Sequence, residues 1–203
     1  MASFINMIPG DVAQGLIWGI MALGVFMTFK ILNFADMTVD GTFATGGAVT
    51  VMLIISGVST PVALLVAVIA GILAGIMTGF FHTVLGIPDI LAGILSQMAL
   101  YSINLNIMGG ANKAVSVDVY NLMVSLRYVS KTILIALIFV AVVMLLMYWY
   151  FGTEQGSAIR ATGNNPHMSL AQGINISVMK VIGLAVSDGL VALSGGLFAQ
   201  YQG

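Results

Sequence analysis

The sequence contains no cysteine, only two histidines and four prolines, and few charges: six Lys or Arg and seven Asp or Glu among 203 residues. Without cysteine there are no disulfides, thiolate metal sites or cysteine nucleophiles, although the absence says nothing about compartment. His82 and His167 both stand at the edges of apolar segments and have no metal-ligand spacing, so no metal site and no catalytic role is read from them. No GxxxxGK[ST] phosphate loop occurs, so no cofactor is expected and any ATP chemistry must belong to another chain. The net charge of −1, with no basic run, gives no electrostatic case for nucleic acid or for attraction to anionic lipid.

Apolar residues fill the space that charge leaves. They make up 60% of the chain and charged residues 6%, with 24 glycines, 14 methionines and a mean hydropathy of +1.09. A soluble domain carries about 25% charged residues. Long apolar runs, broken roughly every 20 residues, predict an all-α integral membrane protein. It is a polytopic helical bundle whose helices approach through small residues and face membrane lipid elsewhere. The ~10-residue alternation of a transmembrane barrel is absent. Met1–Gly10 lacks the basic start of a cleavable signal peptide.

About six membrane segments follow in order: Val12–Ile31, Thr42–Ile55, Pro61–Phe81, Ile90–Met108, Thr132–Phe151 and Val178–Tyr201. The second is short and follows the polar insert Asn33–Gly41, the pattern of a broken or re-entrant segment over 33–55. The joint with Gly86 and Pro88 suggests another over 82–95. Gly71, Gly75 and Gly79, spaced by four, form a close-packing stripe on the third segment. The hydrophilic stretch Gly109–Ser130, with Lys113, Asp118 and Arg127, is long enough for an amphipathic piece on the membrane surface. Tyr148-Trp149-Tyr150-Phe151 ends the fifth segment as an aromatic belt at headgroup depth. Counting Lys and Arg on the two sides gives Lys30, Arg160 and Lys180 against Lys113, Arg127 and Lys131, so charge bias does not orient the chain.

Several polar residues lie within or beside the segments. Asp36 and Asp40, four apart, would share a helix face and could meet an amine or cation crossing the membrane; alternatively they sit at the headgroup boundary, with Asp36 capping the helix that follows. Asp188 lies inside the sixth segment and must face the bundle or a cavity, either paired with a Ser, Asn or Lys or touching solute. Gln97, Asn104 and Asn106 could line a path, or hydrogen-bond between helices. With Asn33, these form the candidate substrate pathway: Asn33, Asp36, Asp40, Gln97, Asn104 and Asp188.

The longest polar interruption, Phe151–Gly173, contains Ala158-Ile159-Arg160-Ala161-Thr162-Gly163-Asn164-Asn165, followed by Ala171-Gln172-Gly173-Ile174-Asn175. This resembles the cytoplasmic coupling loop of ABC importer permeases of the branched-chain amino acid and ribose type. Leu32-Asn33-Phe34-Ala35-Asp36 is similar to the N-F-A element of that family after its first helix. Leu85-Gly86-Ile87-Pro88 is similar to its G-x-P element before the fourth segment. The nearest branch is that associated with tryptophan or tyrosine uptake. Two departures stand out: Ser157-Ala158-Ile159 takes the place of a Glu-Ala-Ala lead, with Glu154 three residues earlier, and the chain stops before further helices that members carry. It is expected to be a fragment, or to have those helices supplied otherwise.

The resemblance implies one transmembrane permease domain over 1–203 with a coupling loop at 152–173. Its partners would be a cytoplasmic ATP-binding subunit, an extracytoplasmic substrate-binding lipoprotein and a second permease copy. The chain itself would not be an enzyme; it would move a small polar solute, an amino acid and within that class an aromatic one, into the cytoplasm by ATP-driven alternating access. The coupling residues would be Glu154, Gly156, Ala158, Arg160, Ala161, Gly163 and Asn165. In this expectation Gly156 and Gly163 supply turns, Asn164-Asn165-Pro166 ends the coupling helix, and Arg160 offers a charged contact. The rival is an ion-coupled secondary transporter using Asp36, Asp40 and Asp188. An intramembrane serine hydrolase lacks a mid-span histidine to activate its serine.

Overall fold

The computed structural model describes residues 2–110, 113, 115, 119, 120 and 122–203, with side chains from residue 8 onward. Asp118 and most of the proposed surface piece around it lie outside the described residues. The described residues form eight α-helices and no strand. They are α1 (Ala2–Phe26), α2 (Val39–Ile55), α3 (Thr60–Thr83), α4 (Asp89–Met108), α5 (Val129–Phe151), α6 (Glu154–Asn164), α7 (Pro166–Ala171) and α8 (Ile176–Gln202). A π-helical turn, Met27–Ile31, extends α1, and a 3-10 turn, Leu126–Tyr128, leads into α5.

Five helices are long and apolar enough to cross a membrane, and α2 is a shorter apolar sixth. Its 17 residues rise about 25 Å, slightly less than a ~30 Å hydrocarbon core. The break expected over 33–55 is therefore a stretch of non-helical chain before α2. At 82–95 the interruption is confined to the Val84–Pro88 connection, where Gly86 has φ +68°, and α4 then runs for 20 residues. Local chemistry sets these ends. Pro61 occupies the first turn of α3, where its missing N–H costs nothing. Asn175 accepts from the Val178 N–H at 3.2 Å to start α8, and Gly109, at φ +65°, ends α4.

The bundle is built around α8. The stripe of α3 meets it, with Gly71 against Asp188, Gly75 against Leu184 and Ala185, and Gly79 against Val181. A methyl at Gly75 would lie 2.7 Å from the Ala185 Cα, closer than any packed side chain tolerates. Gly46 of α2 abuts the Ala192 backbone, and Gly195 of α8 abuts the Phe43 carbonyl. On the other side, Ser187 and Ser194 donate to the Gly24 and Ile17 carbonyls of α1, each at 2.7 Å. In hydrocarbon, where apolar burial does not drive helices together, close backbone approach and such hydrogen bonds hold the bundle. Helix α5 lies at the edge, packed on α1 along Ala136 and Val143, with most of its surface exposed.

Candidate functional site

One end of the bundle gathers the polar features. There the ends of α1, α3 and α5 meet the starts of α2, α4 and α8, with α6 and α7 laid across them. Thr153 caps α6 by accepting from the Gly156 N–H, and Glu154 adds a negative charge to its first turn. Asn165 ends α6 and caps α7 by accepting from the Met168 N–H at 3.0 Å, with Pro166 in the first turn. The expected stop at Asn164-Asn165-Pro166 is thus observed.

The two glycines act differently from the expectation. Gly156 and Gly163 do not make turns: both lie inside α6 and let it touch other backbone. Gly156 rests on Tyr150 and Phe151 at the end of α5, and Gly163 on the Ile31 carbonyl at the end of α1. Between them Ile159 is completely buried among Met27, Leu32, Phe34 and Leu184. Residues 156, 159 and 163 share one helical face by their spacing. Arg160 stands on the flank, where a guanidinium N–H donates to the Phe151 carbonyl at 2.7 Å. Glu154 and Asn165 are exposed and Ala158 and Ala161 half-buried, so these four leave the outer face free.

The candidates of the substrate pathway, within or beside the segments, divide in the same way. Asp36 and Asp40 do not share a helix, because α2 begins only at Val39. Asp36 instead folds back on its own loop, accepting from the Thr38 N–H at 2.9 Å, while its other oxygen is sealed without a partner. Burial raises its carboxyl above the usual carboxylate range, against the opposing effect of the Thr38 N–H. It does not cap α2, whose first residue follows Thr38. Asp40 and Asn33 are exposed, and among the described residues Asn33 is the non-glycine residue with positive φ, +54°. Gln97 is half-buried where α4 passes Gly41. Asn104 is buried and donates to the Gly41 carbonyl at 3.4 Å, the interhelical alternative.

Asp188 is fully buried, and neither oxygen has a hydrogen-bond partner. The expected Ser, Asn or Lys partner is not there: Ser187 and Ser194 bond to α1, and Lys180 bonds to His82. Thr42 of α2 faces the carboxyl, but its hydroxyl donates to the Thr38 carbonyl at 3.1 Å.

Two arrangements were not legible in the sequence. Thr38, Thr78 and Ser96, all fully buried, join hydroxyl to hydroxyl at 2.8 Å for each link, tying the α1–α2 connection to α3 and α4. His82 bonds through Nδ1 to the Ile87 carbonyl at 2.9 Å and through Nε2 to Lys180 Nζ at 2.8 Å. A carbonyl only accepts, so Nδ1 carries the proton and Nε2 accepts from the ammonium. Phe34 packs edge-on against this imidazole, with ring centroids 5.0 Å apart. Among the described residues no group of three or more His, Cys, Asp or Glu is arranged to hold a metal ion.

The helical end just described can be set beside known proteins. A family model for "Branched-chain amino acid transport system / permease component" matches residues 10–203. The chain is 39% identical over 190 residues to a tyrosine transport system permease protein of Clostridioides difficile (strain R20291), covering 94% of this chain and 63% of that one. It is 33% identical over 206 residues to an uncharacterized protein of Rickettsia prowazekii (strain Madrid E), covering 98% and 69% respectively. No solved structure matches. This chain spans less than two thirds of the first of these relatives. With its apolar helices it is a multi-pass membrane protein, in bacteria of the inner membrane, and it belongs to the permease-component family of branched-chain amino acid transport systems.

Proposed function

We propose that this chain is the membrane-spanning part of an ABC importer that brings an amino acid, an aromatic one first of all, into the cytoplasm. The observation that carries the reading is the outer face of α6 and α7. It presents Glu154, Ala158, Ala161 and Asn165, and beyond them Met168 and Leu170, which are 62% and 63% exposed. Large apolar side chains exposed on short polar helices beyond the membrane spans suit a protein partner better than solvent. The inner face of the same helix is locked by Gly156, Ile159 and Gly163. A rigid lever of this kind would pass closure of an ATP-binding subunit to the membrane helices.

In this reading the 152–173 loop is cytoplasmic, two permease copies enclose the path, and a binding protein delivers solute at the opposite end. The exposed Asn33 and Asp40, and Gln97 where α4 passes Gly41, are the polar groups best placed to meet solute between copies. Asn104 and Asp188 stay within one bundle. ATP hydrolysis belongs to the partner, and this chain has no catalytic residue. The word tyrosine in the name of one relative supports an aromatic cargo.

The test is reconstitution. The permease should copurify with an ATP-binding subunit, and Ala161→Arg, on the outer face, should weaken that association without changing membrane insertion. The buried Asp188 favours a second reading, ion-coupled transport. Uptake that persists in proteoliposomes under an ion gradient, with no ATP-binding subunit, would establish that second reading and end the first.

A further inference from the structure

The end of α5 carries a cleft beside the proposed coupling face, from which it takes only Arg160, the residue on the flank of α6. A cleft of about 630 Å³ lies at the opposite end of the bundle, but the one of interest, about 610 Å³, opens where α5 meets α6. It is lined by Ile31, Tyr148, Trp149, Phe151, Thr153 and Arg160. Its size falls within the ~300–1,000 Å³ typical of small-molecule sites.

Three observations define what it takes. First, its depth: Tyr148 and Trp149 form the last turn of an apolar span and are 85% and 67% exposed, which places the opening at the headgroup boundary on the exposed side of the edge helix. Second, its charge: Arg160 is the only charged residue lining it, and no described carboxylate pairs with that guanidinium. Third, its donors: a guanidinium has five N–H groups, and the Phe151 carbonyl takes one at 2.7 Å. That bond fixes the side chain against the end of α5, so its remaining donors are held in place at the edge of the cleft.

We propose that this cleft binds the phosphodiester of a net-negative phospholipid, with Arg160 donating to the phosphate oxygens and Trp149 and Tyr148 flanking the headgroup. A planar guanidinium matches a phosphate through paired donors. One phosphodiester charge balances one arginine. A choline or ethanolamine headgroup would leave an ammonium in a cleft that holds no carboxylate, so the anionic headgroup is preferred.

Trp149 reports on the site. In the full chain carrying Trp18→Phe, brominated phosphatidylglycerol should quench Trp149 at a lower mole fraction than brominated phosphatidylcholine, by about fivefold, the effect of roughly one interfacial cation. Arg160→Gln should bring the two lipids level, Arg160→Lys should keep part of the preference, and Lys30→Gln should leave it intact. Equal quenching by the two lipids without any change at Arg160 overturns the proposal, and so does a preference that survives Arg160→Gln or disappears in Lys30→Gln. Relief of quenching by inorganic phosphate would show a site for a soluble anion, and would also overturn it. The permease is tested alone, so failure here leaves the ATPase-coupling reading untouched.

Discussion

Replacing Gly163 by alanine should loosen α6 from the bundle without unfolding it. The added methyl would run into the Ile31 carbonyl and lie 2.9 Å from the Ile31 and Leu32 carbonyl carbons. These are backbone atoms and cannot rotate away, so the cost is that of overpacking, about 1–3 kcal/mol. Alanine's helix propensity, ~1 kcal/mol better than glycine's, is gained only while α6 is helical and docked, so it offsets part of that cost and leaves about 1–2 kcal/mol for a backbone overlap this close. Against the cost stand the buried Ile159, contributing about 2–3 kcal/mol, and the solvent-exposed hydrogen bond from Arg160, about 0.5–1 kcal/mol. Docking therefore survives but opens more often, by roughly 5- to 30-fold. An isolated helix of this length is marginal, so each opening exposes its amides. Hydrogen exchange should accelerate by that factor across Glu154–Asn164 and remain unchanged in α3 and α8. Gly19→Ala is the control, because a methyl there meets nothing within 4 Å. If α6 exchanges at the parent rate in Gly163→Ala, or equally fast in Gly19→Ala, the close contact with Ile31 is not what holds it.

Other substitutions probe the rest of the bundle. Gly75→Ala should cost about 1–3 kcal/mol at the α3–α8 seam, lowering the thermal midpoint in detergent by roughly 2–12 °C; Gly15→Ala, where nothing lies within 4 Å, should not lower it. Asp188→Asn should retain or raise stability, because an unpartnered carboxylate in hydrocarbon costs several kcal/mol when ionised; loss of uptake with stability intact would instead give Asp188 a part in transport. Asp36→Asn tests the raised carboxyl. A group that holds its proton more tightly when folded favours folding below its unfolded pKa, and that contribution is lost as pH rises through the folded value. The asparagine variant should thus gain thermal stability over the parent at mildly alkaline pH and little in acid; a difference independent of pH would show that this carboxyl is not perturbed by folding.

The helices were legible because hydrocarbon demands long apolar runs, and each expected segment falls within a few residues of an observed helix, apart from an earlier start to α1. The stripe at Gly71, Gly75 and Gly79 could be read as a packing face, but its partner, α8, lies more than a hundred residues away and no local signal identifies it. Polar residues were harder to read. The four-residue spacing of Asp36 and Asp40 places them on one face only in a helix, and the chain before Val39 is not helical; for Asp188 the sequence does not show that the nearby hydroxyls are engaged elsewhere. Gly156 and Gly163 read as turn residues because glycine serves turns and close contacts alike; only the neighbouring backbone decides which. The junction of His82 with Lys180 joins residues 98 positions apart, and nothing around either announces it.

The seating of α6 has a mechanical consequence. Its two glycines rest on different bodies. Gly163 touches the end of α1, which is pinned by serine hydrogen bonds to the stiff, glycine-seamed block of α2, α3 and α8. Gly156 touches the end of α5, an outrigger braced mainly along α1. A push on α6 is therefore shared between supports of unequal compliance. On the proposed coupling, the edge helix would yield first, and a translation of α6 would become a tilt of α5 against the glycine-seamed block.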